Sequence, residues 1–129
     1  MNETIKTQLN PRTIRAFKDQ PLTKEEVDLL VEVAQRTSTS MYLQAYSIIS
    51  VTDPELKKEL AAVSGQPYVA NNGHLFVFVV DQRRNTEIAK ALGQEVGVQG
   101  SADRFVSGLT DAVIAAQNVV VAAESLGMG

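Results

Sequence analysis

The chain contains no cysteine and no tryptophan, a single histidine, and few aromatic residues of any kind. Without cysteine there is no disulfide framework, no thiol nucleophile and no thiolate metal cluster, and the compartment leans towards the reducing cytosol. The lone histidine, His74, opens an apolar run, so it reads as a hydrogen-bonded structural residue rather than a metal ligand. The serines have no histidine placed to complete a triad, and no G-x-S-x-G occurs. No glycine fingerprint follows a strand either, which sets aside a Rossmann or P-loop reading. Positive charge is also in short supply. Twelve Lys+Arg against 15 Asp+Glu leave a formal charge of -3, so no global field draws the chain to nucleic acid or to an anionic membrane. Any anion must therefore be gripped locally, and demanding chemistry must be brought by a cofactor. The start, MNETIKTQLNP, lacks the long apolar core and small-residue cleavage pattern of a secretory signal, and a cytoplasmic protein is expected.

What is present is the composition of a folded globular chain. Its 129 residues are 44% apolar and 21% charged, enough for one domain over residues 1–129 that hides roughly two thirds of its unfolded surface. The most apolar stretch, Phe105 to Leu126, approaches membrane-spanning length, but Asp111, Gln117, Asn118 and Glu124 interrupt it and a buried helix is expected.

Local signals divide the chain. Asn2 can cap a short helix through about Leu9, and Pro11 biases Asn10 away from helical angles and ends it. A turn or extended piece follows, through Leu22. Thr23 with Glu26 forms a capping box in front of Val27, Leu29, Leu30, Val33 and Ala34, a helical stripe. The hydroxyl-rich TSTSM, Thr37 to Met41, favours a loop. Ala45 to Val51 is rich in β-branched and aromatic residues and reads as a strand. Pro54 suits the first turn of a helix through about Val63, which Gly65 stops. Gly65 to Gly73 is loop-like, with one turn possible at Tyr68 to Asn71. The run HLFVFVVD, His74 to Asp81, has strand length and should be covered on both faces. A modest helix spans Arg83 to Leu92, and the glycine-rich GQEVGVQG after it should be a mobile loop. Asp103 to Leu126 is helical and apolar nearly all round, so burial on several sides is expected.

The alternation of helices and strands argues for an α/β or α+β layered domain with helices on both sides of a sheet. Two strands are few for such a sheet, and the chain reads as the front part of something larger.

Within this frame NPRTIRAF, residues 10–17, sets Arg12 and Arg15 three positions apart around Thr13. Guanidinium forks match phosphate oxygens and repel one another without an anion between them. For an arbitrary pair at this spacing, solvation or pairing with Asp19, Glu25 or Glu26 is the commoner outcome, so the local evidence leaves both readings open. TSTSMYL supplies adaptable hydrogen-bond partners and, in Tyr42, a flat face for an aromatic ligand. In GQPYV, Gln66 can present an amide to a heterocycle edge. Lys57 with Lys58, and Arg83 with Arg84, read as solvated helix faces.

The order NPRTIRAF, RTSTSMYLQAYSII, GQPYV, HLFVFVVD and AAQNVVVAAESLGMG resembles the flavin-dependent nitroreductase family, and within it the NADPH-preferring nitroreductases and flavin reductases. The resemblance runs over essentially the whole chain. It implies the three-layer α-β-α sandwich of that family, incomplete here, and a homodimer that uses FMN and NADPH to reduce a small-molecule electron acceptor. It also implies that Arg12, Thr13 and Arg15 hold the FMN phosphate and that Gln66 contacts the flavin ring. By the same resemblance Ser38, Thr39, Ser40 and Leu43 reach the flavin across the dimer interface, with Tyr42 near the substrate face. Two departures stand out: Pro11 replaces the family's usual histidine and removes a backbone donor, and Thr13 replaces serine but keeps the hydroxyl. Family members are considerably longer, so residues 1–129 alone are expected to bind FMN weakly or not at all and either to aggregate or to oligomerise. A non-catalytic dimerisation module is the competing expectation.

Overall fold

The computed structural model describes residues 1–97 and 100–129. Its helices begin where side chains can take orphan amides. Asn2 caps α1 (Glu3–Gln8) by accepting from the Ile5 amide at 3.0 Å. The box before α2 (Lys24–Gln35) is reciprocal: Thr23 Oγ1 accepts from the Glu26 amide at 3.2 Å and Glu26 Oε2 from the Thr23 amide at 2.7 Å. Asp53 caps α3 (Pro54–Ser64), with Pro54 in the first turn and Gly65 closing it in the left-handed conformation at φ 65°. In front of α4 (Arg83–Ala91), Asp81 Oδ1 accepts from the amides of Arg83 and Arg84 at 3.0 and 3.3 Å. Ser101 caps α5 (Ala102–Ser125). The glycine-rich stretch 93–100 carries neither helix nor strand where it is described, and Val98 and Gln99 lie outside the described residues.

The strands are β1 (Tyr46–Val51) and β2 (Leu75–Val80), paired antiparallel with Tyr46 opposite Val80 and Val51 opposite Leu75. Strand side chains alternate, so Tyr46 and Ile48 share one face with Phe76, Phe78 and Val80. This face packs on a core of Leu30 and Ala34 from α2 and Ala112, Ala115 and Val119 from α5. Tyr46 reaches through it to donate its hydroxyl to the Ala34 carbonyl at 2.8 Å. Burial, opposed in part by Arg84, pushes its ionisation above the usual phenol range.

Two expectations about burial do not hold among the described residues. The opposite face of the ribbon leaves Ile49 and Val79 exposed while Val51 is buried and Leu75 and Val77 are half-buried, so β2 is not fully covered on both faces. Helix α5 buries only the stripe Gly108, Asp111, Ala112, Ala115 and Val119, one face at helical spacing. The apolar residues on its other flanks, among them Phe105, Val106, Val113 and Val120, are exposed. By length and composition α5 would suffice to cross a membrane, but here its buried stripe is taken up by α2 and the ribbon. Gly108 marks the close approach of α5 to the ribbon: a Cβ there would lie 2.7 Å from Gln82 Nε2, 2.8 Å from Val80 Cγ1 and 3.3 Å from the Ala45 carbonyl oxygen.

The paired lysines and arginines also divide. Lys58 is exposed and pairs with Glu55, whereas Lys57 is buried and donates its Nζ to the Asn72 carbonyl at 2.9 Å. Its long stem lets the ammonium cross from α3 to the following loop, a contact that helical spacing alone does not reveal. Arg83 stays solvated, but Arg84 donates to the Gln44 carbonyl. His74 behaves as a structural residue: its Nε2 lies 2.9 Å from Ser50 Oγ and its ring against Phe76.

Candidate functional site

The residues singled out from the sequence fall into two groups, held at two levels of α5. The first lies on the stretch between α1 and α2, which has no regular structure and is fixed by packing. Phe17 lies against Tyr68 with ring centroids 6.5 Å apart. Gly73 touches the backbone at Gln20 so closely that a Cβ would lie 1.8 Å from that carbonyl oxygen. Leu22 packs on the core. Ile14 meets Gly129, where a Cβ would come within 2.8 Å of Ile14 Cγ1.

This packing leaves Arg12, Thr13 and Arg15 exposed. Among the described residues neither arginine forms an ion pair; Glu26 is committed to the cap of α2, and Asp19 and Glu25 lie beyond pairing distance. Two unpaired guanidinium groups flanking a hydroxyl form a donor set suited to a dianion such as a phosphate monoester. Gln66 is exposed on the loop after α3, just before the 3-10 turn Pro67–Val69 that carries Tyr68. The Tyr68 hydroxyl donates to Gln66 Oε1, so the Gln66 amide nitrogen keeps its donors for a ligand. Through the Phe17–Tyr68 contact Gln66 and the arginine stretch belong to one side of the molecule.

The second group is the loop from Thr37 into β1. It contains the 3-10 turn Ser40–Tyr42 and three non-glycine residues in the left-handed region, Met41, Tyr42 and Gln44, at φ 51°, 55° and 48°. Each such residue costs about 1–2 kcal/mol, so the surroundings must over-determine the shape. They do so from three directions. Asp111 of α5 accepts from the Ser40 amide at 3.0 Å and, with its other oxygen, from the Ala45 amide at 3.4 Å. From α4, Arg84 donates to the Gln44 carbonyl and Asn85 to the Leu43 carbonyl. Within the loop, Thr39 Oγ1 accepts from the Gln44 amide at 3.2 Å. Two turns further along α5, Asn118 donates to Thr37 Oγ1 at 2.9 Å. The result is a fixed platform that presents Ser38 and Ser40 to solvent, leaves Leu43 half-buried and holds the Tyr42 ring 78% exposed.

The polar interruptions of the apolar helix thus have work to do: Asp111 and Asn118 tie down the loop. These two, with Arg84 and Asn85, are the residues that motif reading missed. Polar residues amid apolar helix positions are the signal for Asp111 and Asn118, and nothing comparable marks Arg84 and Asn85.

Among the described residues no hydrogen bond or ion pair joins the two groups. After α5 the backbone folds back, with the Met128 amide donating to the Ala123 carbonyl, and this sets Gly129 and the arginine stretch beside the helix's last turn. Asp111, which holds the Ser40–Ala45 end of the platform, lies ~18 Å earlier along the axis at 1.5 Å per residue, and Asn118, which holds its Thr37 end, ~8 Å earlier.

The profile of the Nitroreductase family matches residues 10–129. An FMN reductase (NADPH) of Bacillus subtilis (strain 168) is 52% identical over 131 residues, covering 100% of this chain and 53% of that protein. An NADPH-dependent oxidoreductase of Staphylococcus saprophyticus is 46% identical over 121 residues, 93% of this chain and 48% of its own length. Among solved structures, the NfrA1 nitroreductase from B. subtilis matches with a TM-score of 0.94 at 51% identity, covering 97% of this chain and 51% of that one. The NADPH:FMN oxidoreductase from Vibrio harveyi, complexed with NAD+, matches with a TM-score of 0.84 at 35% identity, covering 98% and 53%. The chain spans about half the length of the curated relatives it matches.

Proposed function

The chain belongs to the nitroreductase family, and from that premise we propose that it forms part of a cytoplasmic, homodimeric oxidoreductase that uses FMN and NADPH. The acceptors we assign are electron-poor small molecules, nitroaromatic, quinone or flavin, reduced in a ping-pong sequence. When bound, FMN supplies the redox chemistry, taking reducing equivalents from NADPH and delivering them to the acceptor.

The chain's own residues bind and orient. Arg12 and Arg15 neutralise the phosphate, with the Thr13 hydroxyl as a further donor. The Gln66 amide donates to an edge of the ring system. Ser38, Thr39, Ser40 and Leu43 supply the opposite wall, and Tyr42 offers its ring to the acceptor. The observation that carries this reading is the separation of the two groups along α5. A platform whose Ser40–Ala45 end is held ~18 Å of helix from the turn beside the arginine stretch fits a site completed by a second copy, and the exposed apolar flanks of α5 offer that copy a surface.

Titration of the protein, as its source makes it, with FMN tests the assignment. Arg12→Gln/Arg15→Gln should weaken FMN binding by about 100-fold or more, two charge-assisted contacts being lost, with quenching of flavin fluorescence as the measurement. Unchanged flavin content in that variant would remove the phosphate assignment. The exposed flanks of α5 favour a second reading, a non-catalytic pairing module. A colourless dimer that does not oxidise NADPH would select it.

A further inference from the structure

We infer that Asp111 is a positioning residue for the flavin site of a second copy of the chain: it sets the shape of the Thr37–Ala45 platform without touching the ligand. The inference rests on the function proposed above. Asp111 is 2% exposed, and the hydrogen bonds of its side chain run to loop amides, Ser40 on one oxygen and Ala45 on the other. Burying a carboxylate is costly, and at a helix position surrounded by Gly108, Ala112 and Ala115 an apolar residue would avoid the cost altogether.

What a carboxylate does there, and an apolar residue or an amide cannot, is accept at both ends. An ionised carboxylate is acceptor-only, so it can take two N–H groups at once. Those two amides bracket Met41, Tyr42 and Gln44, the left-handed residues. Asp111 therefore pins both ends of the strained segment to one point on α5, while Arg84 and Asn85 take the carbonyls between them. An asparagine at 111 would turn an NH2 towards one of the two amides, and one end of the segment would come loose.

The test uses the protein as its source makes it, with three variants: Asp111→Asn, Arg84→Gln and Arg12→Gln/Arg15→Gln. Asp111→Asn should remain dimeric and bind FMN about ten-fold or more weakly, the loss expected for a charge-assisted hydrogen bond. The decisive measurement is flavin content in mixed dimers of Asp111→Asn with Arg12→Gln/Arg15→Gln. If the platform acts across the interface, one site in each mixed dimer combines intact arginines with an intact platform, and half the wild-type flavin content returns at wild-type affinity. A residue needed only for its own subunit's stability gives no such recovery. Should Asp111→Asn fail to fold, Arg84→Gln, an exposed position that releases only the Gln44 carbonyl, enters the same cross. Wild-type FMN affinity in both platform variants, or mixed dimers without flavin, overturns the inference. If the arginine variant itself retains FMN, the function proposed above falls instead, and the two failures stay distinguishable.

Discussion

The arginine stretch and the serine platform are both irregular, exposed segments assigned to one ligand, yet they are held in opposite ways. The stretch around Arg12 and Arg15 is seated by shape: a ring on a ring at Phe17 and Tyr68, a backbone approach that only glycine allows at Gly73, and the Ile14 side chain against Gly129. The platform is seated by polar bonds from α4 and α5 and keeps a strained backbone because those bonds converge on it. Packing tolerates small shifts, as a phosphate clamp with long side chains can. A hydrogen-bonded platform fixes direction, as recognition of a flat ring requires.

The largest expected break in this symmetry is at Gly73. A Cβ 1.8 Å from the Gln20 carbonyl cannot be accommodated without moving one of the two backbones. Gly73→Ala should destabilise the fold by roughly 3 kcal/mol and weaken FMN binding through the arginine side, measured by urea unfolding and flavin titration; a wild-type unfolding midpoint would contradict the shape argument. A smaller change, of opposite sign, is expected in the platform. Gln44→Gly relieves a left-handed residue at φ 48° and should raise stability by about 1 kcal/mol, read as a higher melting temperature. It should also blunt flavin affinity, because the platform is then free to sample other shapes.

Acid should separate the two regions with the smallest effects. His74, next to Gly73, is held below its ordinary value of 6.5, first by burial and then by the Lys57 charge. The unfolded chain therefore takes up this proton before the folded one, so the stability His74 contributes is complete above pH 6.5 and declines as pH falls below it. Asp81, which caps α4 and so supports Arg84 and Asn85, is held below its ordinary 3.8, chiefly by the Ser47 hydroxyl and then by the Arg84 and Arg83 amides. Its contribution is present above pH 3.8 and is lost as pH falls through the lower folded value. The arginine side should thus loosen first on acidification, followed by amide chemical shifts of Gly73 and Gln44, and the reverse order would break the comparison.

Much of this architecture is written locally. The Thr23–Glu26 box, Pro54 before Gly65, and Asn2 before a six-residue helix each announce an element because the cap is made by residues a few positions apart. The strands at β1 and β2 follow from their β-branched and aromatic runs. What local patterns do not reveal is which surface finds a neighbour. Helix α5 reads as apolar all round, but one stripe is buried because one stripe meets α2 and the ribbon. Lys57 reads as solvated beside Lys58, yet its ammonium is taken by a carbonyl from residue 72, fifteen positions away. In the candidate site the chemical types at Arg12, Arg15 and the serines were legible. The supports of the platform were not, since Asp111 and Ser40 are 71 positions apart in sequence.

The glycine at position 108 has a mechanical consequence. It lets α5 rest on the spot where β1 begins and β2 ends, at which the Asp81 amide donates to the Ala45 carbonyl at 2.9 Å. Ala45 is 2% exposed, and its own amide points at Asp111 one turn further along the helix. Both strands, the start of α4 and the middle of α5 are therefore knotted at a single buried junction, while α1 buries none of its residues. Opening should begin at the amino-terminal fringe and reach this knot last, so that ribbon and long helix come apart in one cooperative event.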